Sequence, residues 1–114
     1  MADRDFLSPK QQKRDSARAA VNIPGTYRLG SSQDWLPCHV IDLSIGGLQF
    51  EGKFSFYPGD KVDVKFFLVD KNIICKAEIT NVSGRKAGAK FTSVLDSDIA
   101  LVHDFVNKTV MKNH

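Results

Sequence analysis

Two arginines stand four residues apart in Lys13-Arg14-Asp15-Ser16-Ala17-Arg18, and a second polar cluster follows at Asp42-Leu43-Ser44-Ile45-Gly46-Gly47. A guanidinium is a planar fork of donors that grips phosphate oxygens bidentately and also fits the O6/N7 acceptor edge of guanine. A carboxylate at Asp42 accepts the N–H donors of guanine's opposite edge. Ser44 adds a compact donor and acceptor, while Gly46 and Gly47 permit positive φ and a close approach of a planar base. Together the set suits an anionic guanine nucleotide. Taken singly, each cluster has a plainer reading. Arg14 and Arg18 alone are a solvated arm neutralised by Asp15, and Asp42 with Ser44 alone is an Asx-type turn at a strand end.

A hairpin has to bring the clusters together. Val21, Ile23, Tyr27 and Leu29 alternate with more polar positions, as a half-buried strand requires. Gly30 to Asp34 is a turn cluster, and Leu36 to Leu43 forms a second strand whose mixed faces leave its register open. If the two strands pair antiparallel, Arg18 at the start of one becomes a neighbour of Asp42 at the end of the other. Further strands follow at Leu48–Phe50, Val62–Leu68, Ile73–Ile79 and around Ala87–Val94. Tyr57-Pro58-Gly59-Asp60 and Asp70-Lys71-Asn72 mark turns between them. Six short strands at regular spacing predict an all-β fold, a small barrel or sandwich, and a closed barrel hides its edges. Ile99, Val102, Phe105, Val106 and Val110 recur at helical spacing, which predicts a C-terminal helix capped by Asp96 or Ser97. Residues 1–19 read as a mobile polar arm carrying Arg14 and Arg18, and residues 20–114 as the barrel with its helix.

Composition narrows the function classes. The chain has 114 residues, 42% apolar and 25% charged, with a formal charge of +3. That suits one domain of ordinary globular make-up, and a weak basic balance compatible with a polyanionic ligand. The N-terminus has no apolar h-region, and the longest apolar run, Phe66-Phe67-Leu68-Val69, is far below the ~20 residues of a membrane-spanning helix. A cytoplasmic protein with no membrane insertion is expected. Cys38 and Cys75 have no C-x-x-C spacing and read as reduced core thiols.

The pair of motifs, Arg14-x-x-x-Arg18 followed by Asp42-x-Ser44-x-x-Gly47, resembles the signature of PilZ domains, bacterial receptors for the second messenger cyclic di-GMP. The resemblance extends to the Pro58-Gly59-Asp60 turn before Val62-x-Val64 and to Gly88-x-x-Phe91 in the last strand. It implies a six-stranded antiparallel β-barrel with a C-terminal helix. It also implies that Arg14 and Arg18 clamp phosphates and guanine, while Asp42, Ser44 and Gly47 line the base site. In that family the position before the first arginine influences whether one nucleotide or a stacked pair binds. Here it is Lys13. The implied role is a receptor that switches conformation on cyclic di-GMP and so regulates a downstream protein partner, with no other cofactor.

Rival readings fare less well. Cys38 and His39 are adjacent and point to opposite faces of a strand, and Ser44 has no nucleophile elbow or partner base, so no enzyme is expected. Two Cys and three His lack zinc-ligand spacing. Lys53-Phe54-Ser55-Phe56-Tyr57 could form a stacking platform for single-stranded nucleic acid, but the chain has no concentrated basic run. A PilZ-like protein-interaction adaptor without nucleotide binding is the remaining alternative.

Overall fold

The alternating segments close on themselves. The structure is a computed structural model that describes residues 18–53 and 55–112, with side chains as far as residue 109. Its strands are β1 (Arg18–Leu29), β2 (Leu36–Ser44), β3 (Gly47–Gly52), β4 (Lys61–Leu68), β5 (Lys71–Ser83) and β6 (Lys86–Val94), followed by helix α1 (Asp96–Lys112). Neighbouring strands pair antiparallel in a closed barrel ordered β1-β2-β3-β6-β5-β4. Closure gives every strand two partners and leaves no edge for another chain to extend. The expected barrel with a C-terminal helix is thus the observed fold.

Period-two alternation fills the interior. Val62, Val64, Phe66 and Leu68 of β4 and Ile73, Cys75, Ala77 and Ile79 of β5 all point inward and are buried. Each large aliphatic or aromatic side chain so buried contributes about 1.5–3 kcal/mol relative to exposure. Tyr27, Phe50 and Phe56 form an aromatic cluster with centroids 5.0–5.6 Å apart. Phe56 is therefore a core residue and no stacking surface for a nucleic acid, while Phe54 lies outside the described residues. Tyr57 is exposed in the next turn, where Asp60 N–H donates to the Tyr57 carbonyl at 3.0 Å. Gly59 there has φ 95°, the positive value that the Pro-Gly turn demands.

Three strand features depart from a simple alternation. β1 begins at Arg18, two residues before the expected barrel boundary, because Ala19 is already turned into the core. The remainder of the expected arm lies outside the described residues. The β4–β5 turn falls at Val69-Asp70, earlier than expected, with Leu68 paired to Lys71 and Val69 at φ 60°. A β-branched residue is disfavoured there, so its sequence gives no turn signal. Finally, the ladders slip between Ala20 and Ile23, between Val40 and Asp42, between Lys76 and Ala77, and between Ile79 and Asn81.

Helix α1 packs on β1 and β2, with Val102 and Val106 fully buried in the common core. Its first hydrogen bonds run from Asp98 N–H and Ile99 N–H to the Leu95 carbonyl, so Leu95 occupies the cap position expected of Asp96 or Ser97. Lys71 takes up the polar groups instead. Its Nζ lies 2.7 Å from the buried Asp98 carboxylate and donates to Ser97 Oγ at 3.1 Å, tying the β4–β5 hairpin to the helix start. The Val110 side chain lies outside those described. Among the described residues no helix is long and apolar enough to cross a membrane.

Candidate functional site

The hairpin does what the two clusters require. Arg18 of β1 pairs directly with Ser44 of β2, and Ala20 pairs with Asp42. The Arg18 guanidinium lies 3.8 Å from Asp42 Oδ2. This is a loose contact, and the arginine side chain is 57% exposed against 23% for the aspartate. Both line a cavity of about 180 Å³ together with Ser44, Gly46, Gly47 and residues of β3, β5 and β6. Lys13 and Arg14 lie outside the described residues.

Asp42 is held in an unfavourable place. Burial pushes its carboxyl above the ordinary value, and the Arg18 charge and the Leu43 backbone N–H only partly pull it back. Oδ1 is buried and has no hydrogen-bond partner among the described residues. A buried acceptor left so costs about 1–3 kcal/mol, which an incoming N–H donor removes. The ladder slip between Val40 and Asp42 is the reason the group stands here. Val40 and Leu43 both point inward, three positions apart, so the bulge turns Asp42 outward.

The loop from Ser44 to Gly47 is rigidly built. Ser44 Oγ accepts from Gly47 N–H at 3.1 Å and donates to the Gly47 carbonyl at 3.0 Å. Its proton and one lone pair are thus spent on the turn, which gives Ser44 a structural role in the loop. From the other side, Phe91 N–H of β6 donates to the Gly46 carbonyl at 2.9 Å. Neither Gly46 nor Gly47 uses the positive φ that a glycine permits. Gly47 is needed for a different reason: a Cβ there would lie 2.2 Å from the Ala89 carbonyl oxygen of β6. Around Gly46 the space is open, so a flat ligand can reach the backbone there.

Of the other wall of the cavity, the motifs named only Gly88. Gln49, Thr80, Asn81, Gly88 and Lys90 line it, drawn from β3, β5 and β6. Lys90 pairs with Gly47 in the ladder and makes no ion pair with the described residues, so a cation stands at the rim. The pairings themselves could have located it, since Gly88 and Asn81 follow from the β5–β6 hairpin, but the bulge between Ile79 and Asn81 breaks the alternation that would have aimed them.

Residues weighed for other chemistry lie elsewhere. The Cys38 thiol is pushed by burial up to about 11 and that of Cys75 up to about 12, so both are protonated at neutral pH and poor nucleophiles. Exposed His39 lies on the opposite face of β2 from buried Cys38. Among the described residues no three His, Cys, Asp or Glu side chains group as metal ligands.

No curated protein matches the sequence. Solved structures share the fold, among them the following two. The Bacillus subtilis inhibitor of motility MotI/DgrA matches with a TM-score of 0.76 at 11% identity, over 86% of this chain and 51% of that one. This chain thus spans about half the length of that protein. The PilZ domain of CeSA from a cellulose-synthesizing bacterium matches with a TM-score of 0.64 at 17% identity, over 87% of this chain and 100% of that one. The sequence itself matches the PilZ domain family over residues 12–108, nearly the whole chain and both motifs, and the protein belongs to that family.

Proposed function

We propose that this chain is a cytoplasmic receptor for cyclic di-GMP that regulates a protein partner by changing shape when the nucleotide binds. One observation carries the reading: Arg18 and the desolvated carboxylate of Asp42 meet at a cavity beside the open backbone of Gly46. An exposed ion pair at such a distance is worth about 0–1 kcal/mol, so a ligand separates it cheaply. A phosphate then takes the Arg18 fork through charge-assisted hydrogen bonds, and Asp42 turns to the N–H edge of guanine. The cavity of about 180 Å³ is smaller than the roughly 300–1,000 Å³ of sites that enclose a small molecule. The barrel alone therefore does not enclose the ligand. In this reading Lys13 and Arg14, which precede β1 in the sequence, supply further cations to the phosphates. The surface that a partner meets changes with the bound nucleotide.

Isothermal titration with cyclic di-GMP tests the reading, with GTP, GMP and cyclic di-AMP as competitors. Saturable binding with weak competition is expected, and Arg18→Ala should weaken it roughly ten- to a hundredfold, the worth of a hydrogen bond to a charged group. Absence of heat at high micromolar ligand overturns nucleotide binding and leaves a protein-interaction adaptor. A preference for single-stranded RNA would move the function to nucleic acid.

A further inference from the structure

The cavity has a second polar wall whose chemistry neither motif accounts for. Asp42 pairs with Gln49, Gln49 with Gly88 and Gly88 with Asn81, so one lateral row crosses β2, β3, β6 and β5. At strand spacings of roughly 4.8 Å the row spans about 14 Å, enough to face two nucleobases. A bulge interrupts the ladder at each end, beside Asp42 and beside Asn81. Bulges re-aim side chains next to binding sites, and these two turn their residues onto the same cavity.

Gly88 leaves a gap in the row that Asn81 overhangs. A Cβ on Gly88 would lie 2.7 Å from Asn81 Oδ1 and 3.0 Å from Nδ2. Thr80 Oγ1 donates to the Gly88 carbonyl at 3.2 Å and so fixes the strand beneath. The Asn81 amide itself reaches Thr80 Oγ1 only at 3.5 Å, a marginal bond. Gln49, half-buried on the other flank of Gly88, makes no side-chain hydrogen bond with the described residues. Two carboxamides thus face one slot with their donors and acceptors nearly unspent. A carboxamide offers a donor and an acceptor side by side, the pattern that matches a purine edge bidentately.

We propose that Gln49 and Asn81 are ligand-binding residues that grip the second purine of a cyclic dinucleotide, while Arg18 and Asp42 hold the first purine and a phosphate. This rests on the nucleotide-receptor reading above and extends it to a subsite on β3, β6 and β5. Because a carboxamide can turn over, the subsite selects a purine edge and leaves the choice of guanine to Arg18 and Asp42.

Titration of the ¹⁵N-labelled full chain with cyclic di-GMP gives the direct readout. The side-chain NH₂ signals of Gln49 and Asn81, assigned through Gln49→Leu and Asn81→Ala, should shift on binding. Each substitution should weaken binding roughly tenfold by isothermal titration, at unchanged melting temperature. Gly88→Ala is an independent probe, since its methyl displaces the end of the Asn81 side chain and should cost a similar factor. Wild-type binding that survives Asn81→Ala and Gln49→Leu within twofold, with unmoved amide signals, overturns the subsite and leaves the receptor reading intact. No binding by the wild type overturns both.

Discussion

Asp63 and Asp42 are both carboxylates turned to the outside of the barrel wall, and their surroundings are opposite. On β4, Asp63 sits in the row Arg28–Asp63–Lys76 across β1, β4 and β5. Arg28 Nε donates to one oxygen at 2.8 Å and Lys76 Nζ to the other at 3.2 Å. Trp35 covers the row, with the Arg28 guanidinium 4.6 Å and the Lys65 ammonium 4.4 Å from its ring. Burial pushes the Asp63 carboxyl up, but the hydrogen bonds and charges of Arg28 and Lys76 outweigh it and hold the group below its ordinary value. Asp42 has one distant cation and an oxygen with no partner, and burial wins. The first row is closed to outside partners because it has satisfied itself. The second keeps unspent bonding capacity, and stability is the cost of keeping it.

The largest expected difference is in ligand affinity. Asp42→Asn should weaken cyclic di-GMP binding roughly ten- to a hundredfold, because a charged acceptor becomes a neutral group that presents a donor. Thermal unfolding at neutral pH should show no loss of stability beyond about 0.5 kcal/mol, since the Arg18 pair is exposed and long. Asp63→Asn should do the reverse. Unfolding should report a loss of about 1–2 kcal/mol, discounted because Lys76 is exposed and can turn to water, with affinity unchanged. Equal stability losses in the two variants, with ligand binding intact in both, would break the contrast and make Asp42 a structural residue.

This contrast was only half legible in the sequence. The strands and the hairpin were readable because period-two burial in β4 and β5 and the Pro58-Gly59 turn are direct signals of backbone form. The Arg18–Asp42 proximity followed from the hairpin alone, without any register. Register failed in β2, where the bulge sets Val40 and Leu43 on the same side and no strict alternation exists to be read. The same cause hid Thr80 and Asn81, and hid that Gly88 of the last strand faces Asn81 around a second bulge. The reason a side chain is excluded at Gly47 was not legible, since contact with a neighbouring strand leaves no trace in local sequence. The Asp63 row was invisible too, because three charges distant in sequence become a unit only through the barrel register.

A smaller effect concerns how much anion the open face takes up. A stacked pair of cyclic di-GMP molecules brings about four negative charges, and Lys13, Arg14 and Arg18 place three cations within six residues. Lysine supplies charge without the stacking plane of a guanidinium. Two nucleotides per chain are expected from titration, Lys13→Ala should lower the ratio towards one, and Lys13→Arg should keep it at two. One nucleotide per chain in all three proteins removes Lys13 from control of stoichiometry.

The smallest effect is the slope of stability with pH, and it has opposite signs for the two carboxylates. Asp63 has a folded pKa below the ordinary 3.8, so the unfolded chain binds its proton first as pH falls. Its stabilisation is complete above the ordinary carboxylate range and is lost as pH drops from there through the lower folded value. Asp42 has a folded pKa above 3.8, so the folded chain binds the proton first. Its charged form costs stability at neutral pH, and the cost disappears as pH falls through the raised folded value towards 3.8. Chemical unfolding of wild type, Asp63→Asn and Asp42→Asn across this acidic range separates the two. The advantage of wild type over Asp63→Asn should shrink as pH is lowered, and its standing relative to Asp42→Asn should improve. Cyclic di-GMP should reverse the second trend, because a bound guanine donor favours the charged carboxylate and draws the Asp42 pKa below its ordinary value. If the Asp42 slope has the same sign with and without saturating ligand, its carboxylate does not meet the base.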